Sequence, residues 1–190
     1  MEGGFEAHNP GLQWQIRFDD RGFLTHPQAG GWQWGLELQS YGFPGHECAV
    51  TGKPRVSTAG QRVSYDWDAT LQEWFLNDPR GLEHGFNVRQ RPAGEGDRLL
   101  LHLAVRGGLG PRVQASGQSV HFVDGQGVVA LTYEGLAVRD ADGRVLPARF
   151  EAVVEGLELA VEERGARYPL TIDPIAQQAY LKASNTGSNE

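Results

Sequence analysis

The sequence predicts an all-β fold, an antiparallel β-sandwich-like domain with many short strands and hairpins, on three observations. Apolar residues alternate with polar ones in segment after segment, and a period of two marks a half-buried strand. Turn-forming clusters separate these segments every ten or so residues, the spacing of an antiparallel sandwich or barrel. No window sustains a helical period; ATLQEWFL and DPIAQQAYL come nearest, and both contain or adjoin breakers or aromatic residues that suit strands. The 26 glycines and 10 prolines lie in short clusters along the chain, as turn punctuation does.

Taken in order, Leu12, Trp14, Ile16 and Phe18 alternate up to the turn signal DDRG at 19–22. In GGWQWGLELQSYG, residues 30–42, Trp32 and Trp34 share their parity with Leu36 and Leu38, while Gln33, Gly35, Glu37 and Gln39 take the other face. Two indoles aligned with two leucines form a core strip rather than a ligand platform. After FPG at 43–45, Val63, Tyr65 and Trp67 give the next strand. NDPRG at 77–81 places Asp78, Pro79 and Gly81 where a type I turn favours them, and so joins LQEWFLN to GFNVRQRP as a hairpin. Leu99, Leu101, Leu103 and Val105 follow. VDGQG at 123–127 and RDADGR at 139–144 mark turns, the second between LAVR and VLPARF. Leu157, Leu159 and Val161 precede a final strand of Tyr168, Leu170 and Ile172, which Pro174 should stop because it cannot donate to a ladder. One all-β domain over 1–174 is therefore expected, with 175–190 as a polar exit segment or linker.

The chain is long enough to bury a core without metals or disulfides. Its 17 basic and 24 acidic residues give a net charge of -7, and no run of Lys or Arg could neutralise neighbouring phosphates, which argues against nucleic acid and anionic membrane as partners. No apolar run approaches the ~20 residues that cross a bilayer, and MEGGFEAHNP lacks the basic start and apolar stretch of a signal peptide; read literally, that is a cytoplasmic chain. The single Cys48 precludes an internal disulfide and leaves the compartment open.

Catalytic patterns are weak. Glu73, Asp78 and Glu83 surround Trp74 and suggest the paired carboxylates of a glycosidase, but solvated hairpin residues have the same spacing and are the preferred reading. DADG at Asp140–Gly143 opens like a calcium loop, yet Arg144, Val145 and Leu146 follow where further oxygen ligands belong, so it reads as a turn. Six histidines lack the spacing of a zinc site, and His102 and His121, alternating with apolar neighbours, should face solvent. Ser116 sits outside any G-x-S-x-G, and RGGLG at 106–110 is followed by no helix and so cradles no phosphate. No catalytic residue, metal ligand or cofactor is expected, and the motifs specify no ligand-binding residue.

Two stretches carry more than pattern. EWFLNDPRGLEHGFNVRQRP and ARYPLTIDPIAQQAYLKASNTG resemble the β-rich module that precedes FG-GAP, integrin-like repeats in large bacterial secreted or cell-surface proteins. That family's module ends in a YP-x-T-IDP strand and continues through a QQA-x-L-x-AS segment into the first repeat; the likeness extends from about Trp32 to Gly187. The resemblance implies an exported, extracellular or cell-surface location and a non-catalytic structural or adhesion role, with the downstream repeat domain of the same parent chain as partner. Such a module could cap the first repeat's edge. A carbohydrate- or surface-binding module, engaging a glycan or a cell-surface protein, and a hydrolase with an unrecognised site are the alternatives. An exposed aromatic among Trp14, Trp67 and Trp74 would favour the former.

Overall fold

A computed structural model describes residues 4–178. Its first sheet holds β1 (Phe5–Asn9), β2 (Trp14–Asp19), β3 (Gly22–Pro27), β4 (Trp34–Gly42), β5 (Cys48–Ala49), β10 (Arg98–Gly107), β14 (Ala148–Val153) and β15 (Gly156–Glu162). The second holds β6 (Arg55–Ala59), β7 (Arg62–Asp66), β8 (Leu71–Asp78), β9 (Gly81–Val88), β11 (Gly110–Val113), β12 (Val120–Val123), β13 (Val129–Arg139) and β16 (Leu170–Gln178). Every pairing is antiparallel, and no helix occurs among the described residues, so the chain is an all-β, sandwich-like domain.

Strand order in the first sheet is β1-β2-β3-β4-β10-β15-β14, with β5 also on β4; in the second it is β11-β12-β13-β16-β9-β8-β7-β6. The alternation read from the sequence sets the inner faces. Trp14, Ile16 and Phe18, then Trp34, Leu36 and Leu38, then Leu99, Leu101 and Leu103, are buried from the first sheet; Tyr65, Phe75, Phe86, Phe122 and Ile172 are buried from the second. The rings meet in the middle, with Trp34 against Phe122 at 4.9 Å between centroids and Phe23 against Phe75 at 5.4 Å.

The NDPRG hairpin forms as expected, β8 pairing with β9 from Asp78↔Gly81 to Leu71↔Val88. Asn9, fully buried, fastens the first sheet to it: its Nδ2 donates to Asn77 Oδ1 and to the Asp78 carbonyl, both at 2.7 Å. Tyr65 makes a second link, its hydroxyl donating to the Asp19 carbonyl at 2.7 Å.

Two expectations need correction. Trp32 lies ahead of β4 and is half-buried, packed against the core at its margin, while Trp34 is sealed inside. Nor does the last strand stop at Pro174. Ile175 and Ala176 pair with Glu83 and Leu82 of β9 on one side, and with Glu134 and Tyr133 of β13 on the other. Proline is tolerated because β13 bulges opposite it: the register slips between Glu134 and Ala137, with Gly135 at φ 71, so the ladder is already interrupted where Pro174 has no N–H to offer. The domain therefore continues past 174 to at least Gln178, and the remainder of the expected exit segment, 179–190, lies outside the described residues.

Candidate functional site

Three places gather chemically versatile side chains. The first lies inside the sandwich. Leu71, Glu73 and Phe75 share the inner face of β8, as Leu82, His84 and Phe86 share that of β9, so the pleat carries Glu73 and His84 into the core. Both are fully buried, with His84 Nε2 2.7 Å from Glu73 Oε1. Glu73 Oε2 accepts from Trp67 Nε1 at 2.8 Å, and Tyr133 Oη stands 3.0 Å from His84 Nδ1. The carboxylate accepts from His84 at Nε2 and the Tyr133 hydroxyl is hydrogen-bonded to Nδ1, so each of these four side chains has a hydrogen-bond partner. Phe75 stacks on the imidazole at 4.9 Å and 13°, and Phe23 and Phe86 enclose it. Burial, and then the nearby Glu73 charge, push the Tyr133 hydroxyl well above the ordinary phenol value. The sequence reading of Glu73 as a solvated hairpin residue is thus overturned; its shared parity with Leu71 and Phe75 was the signal that places it inside.

Asp78 and Glu83, the other two acids of that group, point away from Glu73 on the outer side of the hairpin. Arg80 bridges them, at 2.5 Å to Asp78. Trp74 lies flat across Gly85, where a Cβ would come within 2.1 Å of the indole, and the Arg62 guanidinium covers it at 4.3 Å from the ring centroid. Burial, followed by the neighbouring Asp173 charge, raises the Glu83 carboxyl; burial raises that of Asp173 against the pull of Arg80 and Arg62. Both hold their protons more tightly in the folded chain than in the unfolded one, so this corner loses stability as pH rises through the interval between the two values. Asp78, which the Arg80 hydrogen bond lowers, does the opposite and loses its contribution as pH falls.

The third place is a cleft of about 470 Å³ at one end of the sandwich, where the β3–β4, β10–β11 and β12–β13 connections meet. Trp32, His26, Gln33 and Asp124 line it together with Gly30, Gly31, Gly108 and Gly125. Trp32 is braced edge-to-face by the buried Trp14, at 5.6 Å and 86°. A second cavity of about 330 Å³ adjoins, sharing His26 and Gln33 and extending over Gln15, Arg17, Leu24 and Glu6.

The remaining sequence candidates are structural. Asp140 Oδ1 accepts the N–H groups of Asp142 and Arg144 at 3.0 and 2.9 Å, and its Oδ2 that of Arg167 at 3.3 Å, so DADG is a turn whose lead carboxylate caps backbone donors. Ser116 Oγ accepts from Gln118 N within its own turn. His102 and His121 are half-buried on their strands rather than fully solvated, and RGGLG connects β10 to β11. Of the tryptophans flagged for exposure, Trp14 and Trp74 are buried and Trp67 is half-buried through its bond to Glu73. No family model matches the chain, and neither a curated protein nor a solved structure was found similar to it.

Proposed function

We propose that this chain is a non-catalytic structural module that anchors and presents the polypeptide continuing from its last strand, in the extracellular or cell-surface setting that the resemblance to modules preceding FG-GAP repeats implies. The observation that carries the reading is the position of β16. It lies in the interior of its sheet, hydrogen-bonded to β13 along one edge and β9 along the other, so a load on its C-terminal side must break two ladders together. The burial of the His84–Glu73 pair beneath Phe23, Phe75 and Phe86 supports a non-catalytic role, because no substrate could reach it without unfolding the core.

Force spectroscopy tests the anchor, with the exposed Cys48 as one attachment point and the C-terminus as the other. The comparison is a Cys48→Ser, Ala59→Cys variant, pulled between the thiol newly placed on the edge strand β6 and the N-terminus. Rupture through Cys48 and the C-terminus should need more force than rupture in that variant. Equal or lower force at the C-terminal attachment would remove the basis for the anchoring role.

A further inference from the structure

We propose that the groove running from the Trp32 cleft onto the outer face of the first sheet is a binding site for a neutral oligosaccharide. The two cavities that compose it share His26 and Gln33, and together they form one elongated depression suited to several sugar units of a linear chain. The register across β2 and β3 sets Gln15 opposite His26, and Gln33 continues the line just before β4. Planar polar groups therefore follow one another across the sheet, ending at the indole of Trp32. Amides offer both donors and acceptors, and a neutral imidazole offers one of each, which matches hydroxyl groups that must do both.

The wall is arranged before any ligand arrives. Trp14 holds Trp32 at a fixed angle, while the 3.0 Å contact from His26 Nδ1 to the Pro27 carbonyl makes Nδ1 the donor and leaves Nε2 an acceptor. Gly30, Gly31, Gly108 and Gly125 leave the space beside the indole open, since a Cβ at any of them would meet nothing within 4 Å. An aromatic surface with a few placed polar groups is the usual construction of a small-ligand site. A pyranose fits it chemically: one face of the ring is C–H and stacks on an indole, and its rim is hydroxyl.

Other occupants fit less well. A peptide adding to a sheet needs an unpaired edge, whereas this depression lies across strands already paired on both sides from β2 to β3. A polyanion would meet Asp124 at one end and Glu6 at the other, with Arg17 alone to oppose them and a chain charge of -7 behind.

The test is a titration of the isotope-labelled chain with neutral oligosaccharides of glucose, xylose and N-acetylglucosamine, each in lengths from one unit to six, with a sulfated oligosaccharide beside them. At least one neutral series should shift the Trp32 indole and Gln33 amide signals at millimolar concentration, with affinity rising over the first few units. Gly108 and Gly125 line the cleft and have no positive φ, so Gly108→Leu and Gly125→Leu add bulk at its wall without backbone strain. Each should weaken binding at least roughly tenfold, a change of about 1.4 kcal/mol, while leaving the denaturation midpoint unmoved. Trp32→Ala should abolish binding, and because it also removes packing from Trp14, the two leucine variants decide the matter. The proposal is overturned if no neutral series binds, if binding survives both leucine variants, or if the sulfated sugar alone binds.

Discussion

Removing the carboxylate of Glu73 would leave two donors, Trp67 Nε1 and His84 Nε2, aimed at a position with no acceptor. Breaking a buried pair from one side costs about 3 to 5 kcal/mol, whereas replacing both partners with apolar groups of similar volume is often close to neutral. Glu73→Ala is therefore expected to destabilise the chain by about 3 to 5 kcal/mol in urea denaturation, and Glu73→Leu combined with His84→Phe by less than the sum of the two single changes. Simple additivity would mean that the carboxylate and imidazole do not act as a pair. The pair was visible in the sequence only as parity: Glu73 alternates with Leu71 and Phe75, and His84 with Leu82 and Phe86. What parity could not supply was the partner, because the bond joins neighbouring strands across a hairpin and Tyr133 arrives from β13, 49 positions away. Trp32 shows the reverse failure. Its parity was right for a strand that begins only at Trp34, and the departure of the chain at the glycine pair turned its ring toward the cleft.

At the level of elements, the alternation in β2, β4, β10 and β15 was plain because each has one face wholly in the core. Strands such as β5 and β6 were not legible: β5 is two residues long, and β6 at the sheet edge is mostly exposed, so neither shows an apolar face. The error at Pro174 has a comparable origin. A proline in a central strand is admissible only opposite an irregularity, and the bulge at Gly135 sits in a different strand, beyond the reach of a local reading. A chain ended after Pro174 loses the buried Ala176 and the bonds of Ile175 to both neighbours. Against a chain ended after Gln178, it should be less stable by more than about 3 kcal/mol or fail to unfold cooperatively. Matching denaturation curves for the two would show that the strand's last four residues contribute nothing.

For the molecule as a whole, the second sheet consists of two separate meanders. β6 to β9 run in order as one, β11 to β13 as the other, and among the described strands only β16 hydrogen-bonds to both. Since β9 and β13 are each left with an open edge until β16 arrives, the sheet is completed by the last described part of the chain to be synthesised. Pairings of such long sequence separation are slow to form. A growing chain that has reached Glu162 holds all the first-sheet strands and both meanders, yet the facing edges of β9 and β13 still lack the one strand that pairs with both. Those two backbone edges are what the missing piece must satisfy. A chain ended at Arg167 should show no cooperative unfolding alone, and a synthetic peptide of residues 168–178 supplied in trans should restore it, with a scrambled peptide having no effect. If the shortened chain unfolds cooperatively without the peptide, the two halves hold each other by other means. If rescue occurs, the module can be kept open until a separate molecule closes it, which makes the time of its folding something that can be chosen.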